Sequence, residues 1–277
     1  MFSGYPEASL YFAVRMWRDK FIWENNRYDG WYAIIVREGR FEVDMLGKHD
    51  EVGAGDVVLF PPDVLFSRRI TEPIRFIYIY FKWQNASGDY DWKDSPDLPF
   101  GKLDFPVKSR RDEDIEALAG LCNDPDPGAR RLAEHYFNDI WYECRRTGRP
   151  AGVIDADKIS DPIVARSMVY IGSNFASPIH VSELAAMSGM SHVNFTNRFR
   201  AAVGVPPIDY IKRVRLGKAC AMLSEGSLSV AEIAYACGFE NQFYFSRCFS
   251  KAFGLPPCAA KRFIAFSSGR SNILCSR

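Results

Sequence analysis

Two stretches of the chain carry side chains suited to directed contact with another molecule: HVNFTNRFR (192–200) and QFYFSRCFSK (242–251). With Phe195, Phe199 and Ala202 turned inward on a helix, Val193, Thr196, Asn197 and Arg200 face outward, and His192 opens the helix. In the second stretch Phe245 and Phe249 turn inward. Phe243, Ser246, Arg247 and Ser250 face outward, Gln242 opens the helix, and Lys251 lies about one turn beyond Arg247. A merely solvated face mixes acids with bases, yet neither set holds an acid. A guanidinium bonds guanine O6 and N7, an amide pairs adenine N6 and N7, and an apolar side chain meets the thymine methyl. Lys251 suits a phosphate. The chemistry is that of reading duplex DNA.

The elements that must position these faces form an internal repeat. VSELAAMSGM (181–190) aligns with VAEIAYACGF (230–239). After one extra residue, Glu240, SHVNFTNRFRAAVGVPP (191–207) lies over NQFYFSRCFSKAFGLPP (241–257). Each unit predicts a short helix, a tight turn at Gly189 or Gly238 with positive φ, and a second helix. That is the helix-turn-helix arrangement, whose second helix enters the major groove. Between the units a helix from Ile208 to about Ser224 is expected, roughly 25 Å long. Its Lys212, Arg213, Arg215 and Lys218 are candidates for phosphates, with Arg215 equally placed for an internal ion pair. Asp161-Pro162 reads as a helix start, and Ser229-Val230-Ala231-Glu232 as a capping box.

Charge divides along the chain. Residues 1–156 hold 21 Lys+Arg against 27 Asp+Glu, and residues 157–277 hold 14 against 7, so the basic half suits a polyanion. The chain has 277 residues, room for two cores. No apolar run of about 18 residues is present, so no membrane partner is expected. The start of the chain does not read as a signal peptide, and seven cysteines without a CxxC fit reduced thiols in a cytoplasm.

Residues 31–83 read as short strands of a small sandwich or barrel. WYAIIV and RFEV flank Arg37-Glu38-Gly39-Arg40, a hairpin signal; DVVLF and IRFIYIYFKW follow. Residues 84–106 are expected to be a loop. Two helices follow, the second with Leu132, Tyr136, Ile140 and Cys144 as a stripe that fits either core packing or a dimer seam. Gly148, Pro150 and Gly152 mark a linker.

The pattern GF-x5-FSR-x-F-x3-FG-x-PP (238–257), with its partial copy upstream, resembles the AraC/XylS family of bacterial transcription regulators over about residues 160–262. The resemblance implies two helix-turn-helix units on adjacent major-groove segments, usually as an activator, with RNA polymerase and a second copy of the chain as partners. One departure is Ala260-Lys261, where the family usually has Tyr-Arg. This bears on the packing of the last helix.

The resemblance also makes the β segment a cupin-like effector domain, with Gly55-Asp56 and Pro61-Pro62 as its turn. Trp23, Trp31, Phe66, Tyr78 and Tyr80, with Arg37 and Arg68 as polar anchors, then become candidates for a small organic effector such as a sugar, although such rings equally serve as core. The histidines, His49, His135, His180 and His192, are too scattered for three ligands, so no metal, cofactor or catalytic residue is expected. The competing reading is a cupin-type metalloenzyme fused to a DNA-binding domain. The expected fold class is thus an N-terminal all-β cupin-like barrel with following helices and a C-terminal all-α domain of two helix-turn-helix units joined by a long helix. The expected divisions are 1–110 (effector domain), 111–147 (helical pair), 148–160 (linker), 161–266 (DNA-binding domain) and 267–277 (tail).

Overall fold

The computed structural model describes residues 6–22, 24–27, 30–62, 64–85, 88–89, 100–105, 110–122, 124, 126–145, 161–225 and 227–265. The expected linker, the tail and Trp23 lie outside them. Among the described residues eight strands come first: β1 (Glu7–Arg18), β2 (Asn25–Arg27), β3 (Trp31–Met45), β4 (Lys48–Val52), β5 (Val57–Phe60), β6 (Leu65–Asn85), β7 (Gly88–Asp89) and β8 (Gly101–Lys102). Helices α1 (Arg111–Leu121) and α2 (Pro127–Arg145) follow. The C-terminal part is α3 (Pro162–Asn174), α4 (Val181–Met187), α5 (His192–Val203), α6 (Pro207–Glu225), α7 (Val230–Ala236), α8 (Gln242–Phe253) and α9 (Pro257–Ala265).

The strands form one antiparallel sheet whose main path runs β1-β6-β3-β5-β8. It does not close into the expected barrel. The outer edge of β1 is taken by side chains of α2 instead: Asn138 accepts from the Ala8 amide at 2.7 Å and donates to its carbonyl at 3.0 Å. Glu134 accepts from the Leu10 amide at 2.9 Å. Amide and carboxylate groups here satisfy a strand edge that a closing strand would otherwise have covered.

The expected hairpin at 37–40 is a bulge inside β3. β3 stays paired to β6 on both sides of it, and Gly39 (φ 78°) lies so close to β6 that a Cβ would overlap the Pro73 carbonyl. The turn is Leu46-Gly47, both at positive φ, joining β3 to β4 with Met45 opposite Lys48. Within the expected 84–106 loop, Gly101 and Lys102 pair with Leu59 and Val58.

The sheet buries side chains on both faces. Trp31, Ala33, Ile35, Ile77, Ile79, Phe81 and Trp83 pack beneath α1 and α2, against Leu118, Phe137, Ile140 and Trp141. For the stripe on α2 this favours core over dimer seam at Ile140 and Cys144, which are buried; Leu132 is exposed. The other face, with Phe12, Tyr32, Phe41, Phe66, Phe76, Tyr78 and Tyr80, shares one apolar cluster with Leu223, Phe245, Phe249 and Phe253 of the C-terminal part. Among the described residues no helix is long and apolar enough to cross a membrane.

Candidate nucleic-acid interface

Each unit is built alike because matching residues do matching work. Ser191 and Asn241 cap the two second helices: Ser191 Oγ accepts from the Asn194 amide at 3.3 Å, and Asn241 Oδ1 from Phe243 and Tyr244 at 2.7 and 3.2 Å. Gly189 (φ 65°) and Gly238 (φ 77°) make the turns, and Gly204 and Gly254 end α5 and α8 in the left-handed region. Pro207 and Pro257 then begin the next helices. The capping box at Ser229 is formed in both directions.

Phe195, Phe199 and Val203 of α5, and Phe245, Phe249 and Phe253 of α8, are buried. Positions spaced by four set the inner stripe; Ala202 and Ala252 are half-buried at its side. The opposite faces hold the candidate readers. His192, Val193, Asn197 and Arg200 are exposed on α5, as are Phe243, Arg247 and Lys251 on α8, with Val193 64% and Phe243 71% accessible. These two large apolar side chains occupy matched positions in solvent. Gln242 and Ser246 are half-buried. Thr196 is half-buried too, with its Oγ1 shielded from solvent and no hydrogen-bond partner among the described residues.

Several cations near these helices are committed elsewhere. Arg198, which spacing did not single out, grips the α3 cap Asp161 with Nε at 2.6 Å and an Nη at 3.2 Å. This pairing and the cap hydrogen bonds hold the Asp161 carboxyl below the usual carboxylate range. On α6, a 19-residue helix about 28 Å long, Arg213 is buried. Arg215 forms no ion pair among the described residues and donates to the carbonyls of Phe175 and Ser177 at 2.8 and 2.9 Å, closing the C-terminal end of α3. Lys212 pairs with Asp209 at 2.9 Å. Of the four α6 cations, Lys218 remains exposed, 5.8 Å from the Phe175 ring. The Ala260-Lys261 departure is accommodated: Ala260 is buried, Lys261 donates to the Leu228 carbonyl at 2.6 Å, and α9 forms.

The effector candidates divide between the faces of the sheet. Phe66, Arg68, Tyr78 and Tyr80 share one face; Tyr80 stacks on Tyr32 at 4.5 Å, and the buried Arg68 guanidinium lies 4.0 Å from the Phe21 ring centre. Trp31 lies on the opposite face against Trp83, because neighbouring residues on a strand alternate sides. Arg37 turns to α1 and pairs with Glu116 at 2.6 Å. These two therefore stand apart from the pocket proposed for them.

The C-terminal part is thus a pair of helix-turn-helix units held on a long shared helix. Residues 184–262 match the family model of a helix-turn-helix domain. The chain is 31% identical over 100 residues to the MmsAB operon regulatory protein of Pseudomonas aeruginosa, covering 36% of this chain and 33% of that protein. It is 31% identical over 99 residues to an AraC-like transcription regulator of Streptomyces lividans, covering 36% and 33%. With the xylose operon regulatory protein of Escherichia coli K12 the identity is 32% over 103 residues, covering 37% and 26%. The chain spans about a third or less of the length of these relatives. Among solved structures, ToxT of Vibrio cholerae with bound unsaturated fatty acid aligns over 99% of this chain and 100% of its own, at 13% identity and a TM-score of 0.46. Through its helix-turn-helix domain the chain is thus similar to AraC-like transcription regulators.

Proposed function

We propose that the chain is a sequence-specific DNA-binding transcription regulator, with α5 and α8 as reading helices and an N-terminal sheet that senses a small organic effector. The observation that carries this is the pair of matched, acid-free, solvent-facing surfaces on a duplicated helix-turn-helix domain. His192, Val193, Asn197 and Arg200 read one major-groove segment; Gln242, Phe243, Ser246 and Arg247 read the next, and Lys251 holds phosphate. Thr196, turned inward, positions α5. Two of the named relatives are operon regulatory proteins, which supports transcription as the output. RNA polymerase as a partner, activation as its sense and the cytoplasm as its place belong to the same proposal.

The effector reading rests on Arg68 set among the rings of Phe21, Phe60 and Phe66, with Tyr78 and Tyr80 on the same face. A sugar or another oxygen-bearing molecule suits such a surface. A homodimer completes the proposal. It assigns the chain no catalysis and no resident metal. Selection of duplexes from a random pool by the purified chain tests the DNA reading. Metal analysis of the same preparation, and DNA binding after EDTA, test the rest.

A further inference from the structure

The two helix-turn-helix units have separate cores, and α6 passes from one to the other. Tyr210, Ile211 and Val214 pack with Phe195 and Phe199 of the first unit, whereas Leu216, Ala219 and Leu223 pack with Phe245 and Phe249 of the second. Arg215 stands at the change-over. Phe175, just past α3, borders both cores, and Arg215 holds the chain there. Its Nε donates to the Phe175 carbonyl at 2.8 Å and its Nη2 to that of Ser177 at 2.9 Å. The guanidinium also lies against the second unit: its Cζ is 6.0 Å from the Phe239 ring centre and 3.0 Å from where a Cβ on Gly238 would stand. That Cβ would be 2.7 Å from the Phe175 carbonyl oxygen and 2.9 Å from that of Ala176. Only a glycine lets the second turn come so near the end of α3. Gly189, its counterpart in the first unit, has nothing within 4 Å of its own missing Cβ. The close approach therefore belongs to the junction between the units and not to the turn as such.

Long helices are rarely straight, so α6 alone does not set the angle between the units. A planar guanidinium that donates to two carbonyls at once fixes direction as well as distance. From this we infer that Arg215 is a positioning residue for DNA reading: it holds the two units in one relative orientation, so that the chain reads two groove segments at one spacing. The inference rests on the DNA-reading function proposed above and adds what determines its spacing. One base pair more or less moves the second segment by about 3.4 Å and turns it by roughly 35° around the duplex. Rigidly joined units cannot follow both changes, and simultaneous engagement is lost. Loosely joined units follow them, but must be ordered afresh on each duplex.

The test varies spacing, which a residue that merely stabilises the fold would leave alone. A duplex selected from a random pool by the full parent chain is remade with one base pair added or removed between the positions that Asn197→Ala and Arg247→Ala relax. The parent and Arg215→Met are then measured on all three duplexes, with the folding of each checked by its unfolding transition. The expected result is that the parent binds either altered duplex at least about tenfold more weakly than the original, while Arg215→Met loses less than about threefold. Should Arg215→Met not fold, Arg215→Lys takes its place with the same expectation, because it keeps the charge without the fork. A folded variant that keeps the parent's loss, or a parent indifferent to spacing, overturns the role of Arg215 and leaves the DNA reading standing. Failure of both variants to fold overturns it too, by making Arg215 a residue of the fold alone. A parent that selects no duplex removes the DNA reading, and this inference with it.

Discussion

The ring of Phe253, the last residue of α8, meets Phe12 of β1 with centroids 5.5 Å apart and planes at 66°. Phe12 in turn lies 5.8 Å from Tyr80, and Tyr80 stacks on Tyr32 at 4.5 Å. On the other side Phe253 touches Phe249 at 4.6 Å, and Phe249 touches Phe245 at 5.6 Å. Rings thus run without a break from the face bearing the effector candidates to the spine of the second reading helix. Close-packed rings move between discrete arrangements, so a ligand that shifts Tyr80 acts on Phe253 only if the two are coupled. A double-mutant cycle with Phe12→Ala and Phe253→Ala should give a coupling of about 0.5–1.5 kcal/mol in denaturant unfolding. Strict additivity would show that the rings touch without mattering to one another.

The two turn glycines should respond differently to alanine. Gly189 has open space around its missing Cβ, so Gly189→Ala should cost about 1–2 kcal/mol, the backbone penalty of a left-handed residue. At Gly238 the added carbon would stand 2.7 Å from the Phe175 carbonyl oxygen and 2.9 Å from that of Ala176. Gly238→Ala should therefore cost clearly more. Chemical denaturation of both variants decides it, and equal losses would mean that α3 yields freely at its C-terminal end.

Asp161 makes the first unit sensitive to acid. Its carboxyl is held low chiefly by the hydrogen bond from Arg198. A carboxyl lowered on folding contributes its full stability above the ordinary value of about 3.9, and that contribution fades as pH falls through the lower folded-state value. Asp161→Asn keeps a helix cap but loses the ion pair. The variant should show a flatter stability profile below about pH 4 than the parent, and the same profile in both would assign the acid sensitivity to other carboxyls.

How far the sequence reveals this molecule depends on how local each signal is. The repeat, its glycines and its phenylalanines are legible because a helix-turn-helix unit is held by contacts close in the chain. Asp161-Pro162 and the Ser229 box are read directly for the same reason. Arg-Glu-Gly-Arg fits a hairpin turn and the bulge at Gly39 equally, and only the approach of Pro73 separates them. The open sheet depends on Asn138 and Glu134 reaching β1 from more than a hundred residues away. Arg198 carries no local signal of its pairing with Asp161, and Arg215 fits a phosphate or an internal ion pair equally until the end of α3 comes into place. The docking of α8 on the sheet leaves no local pattern, since Phe253 completes the inner stripe of its own helix equally well.

The charge of the C-terminal half gives a prediction on salt. Arg200, Arg247 and Lys251 are exposed on the reading helices. Each phosphate neutralised releases counterion, so affinity for the preferred duplex should fall steeply between about 50 and 200 mM salt. Lys251→Ala should reduce that slope and weaken all sequences about equally. An unchanged slope would place Lys251 away from the phosphates.

The central claim is that the two exposed helix faces read bases, and Arg247 tests it most directly. The measurement is binding of the parent, Arg247→Ala and Asn197→Ala chains to one library of duplex variants built around the selected sequence. Arg247→Ala should cost roughly 1–3 kcal/mol on the preferred duplex and flatten preference at one base-pair position. Asn197→Ala should flatten preference about one helical turn away, roughly 34 Å along the duplex. Uniform weakening across every sequence by both variants, with no position relaxed, would contradict base reading by these helices.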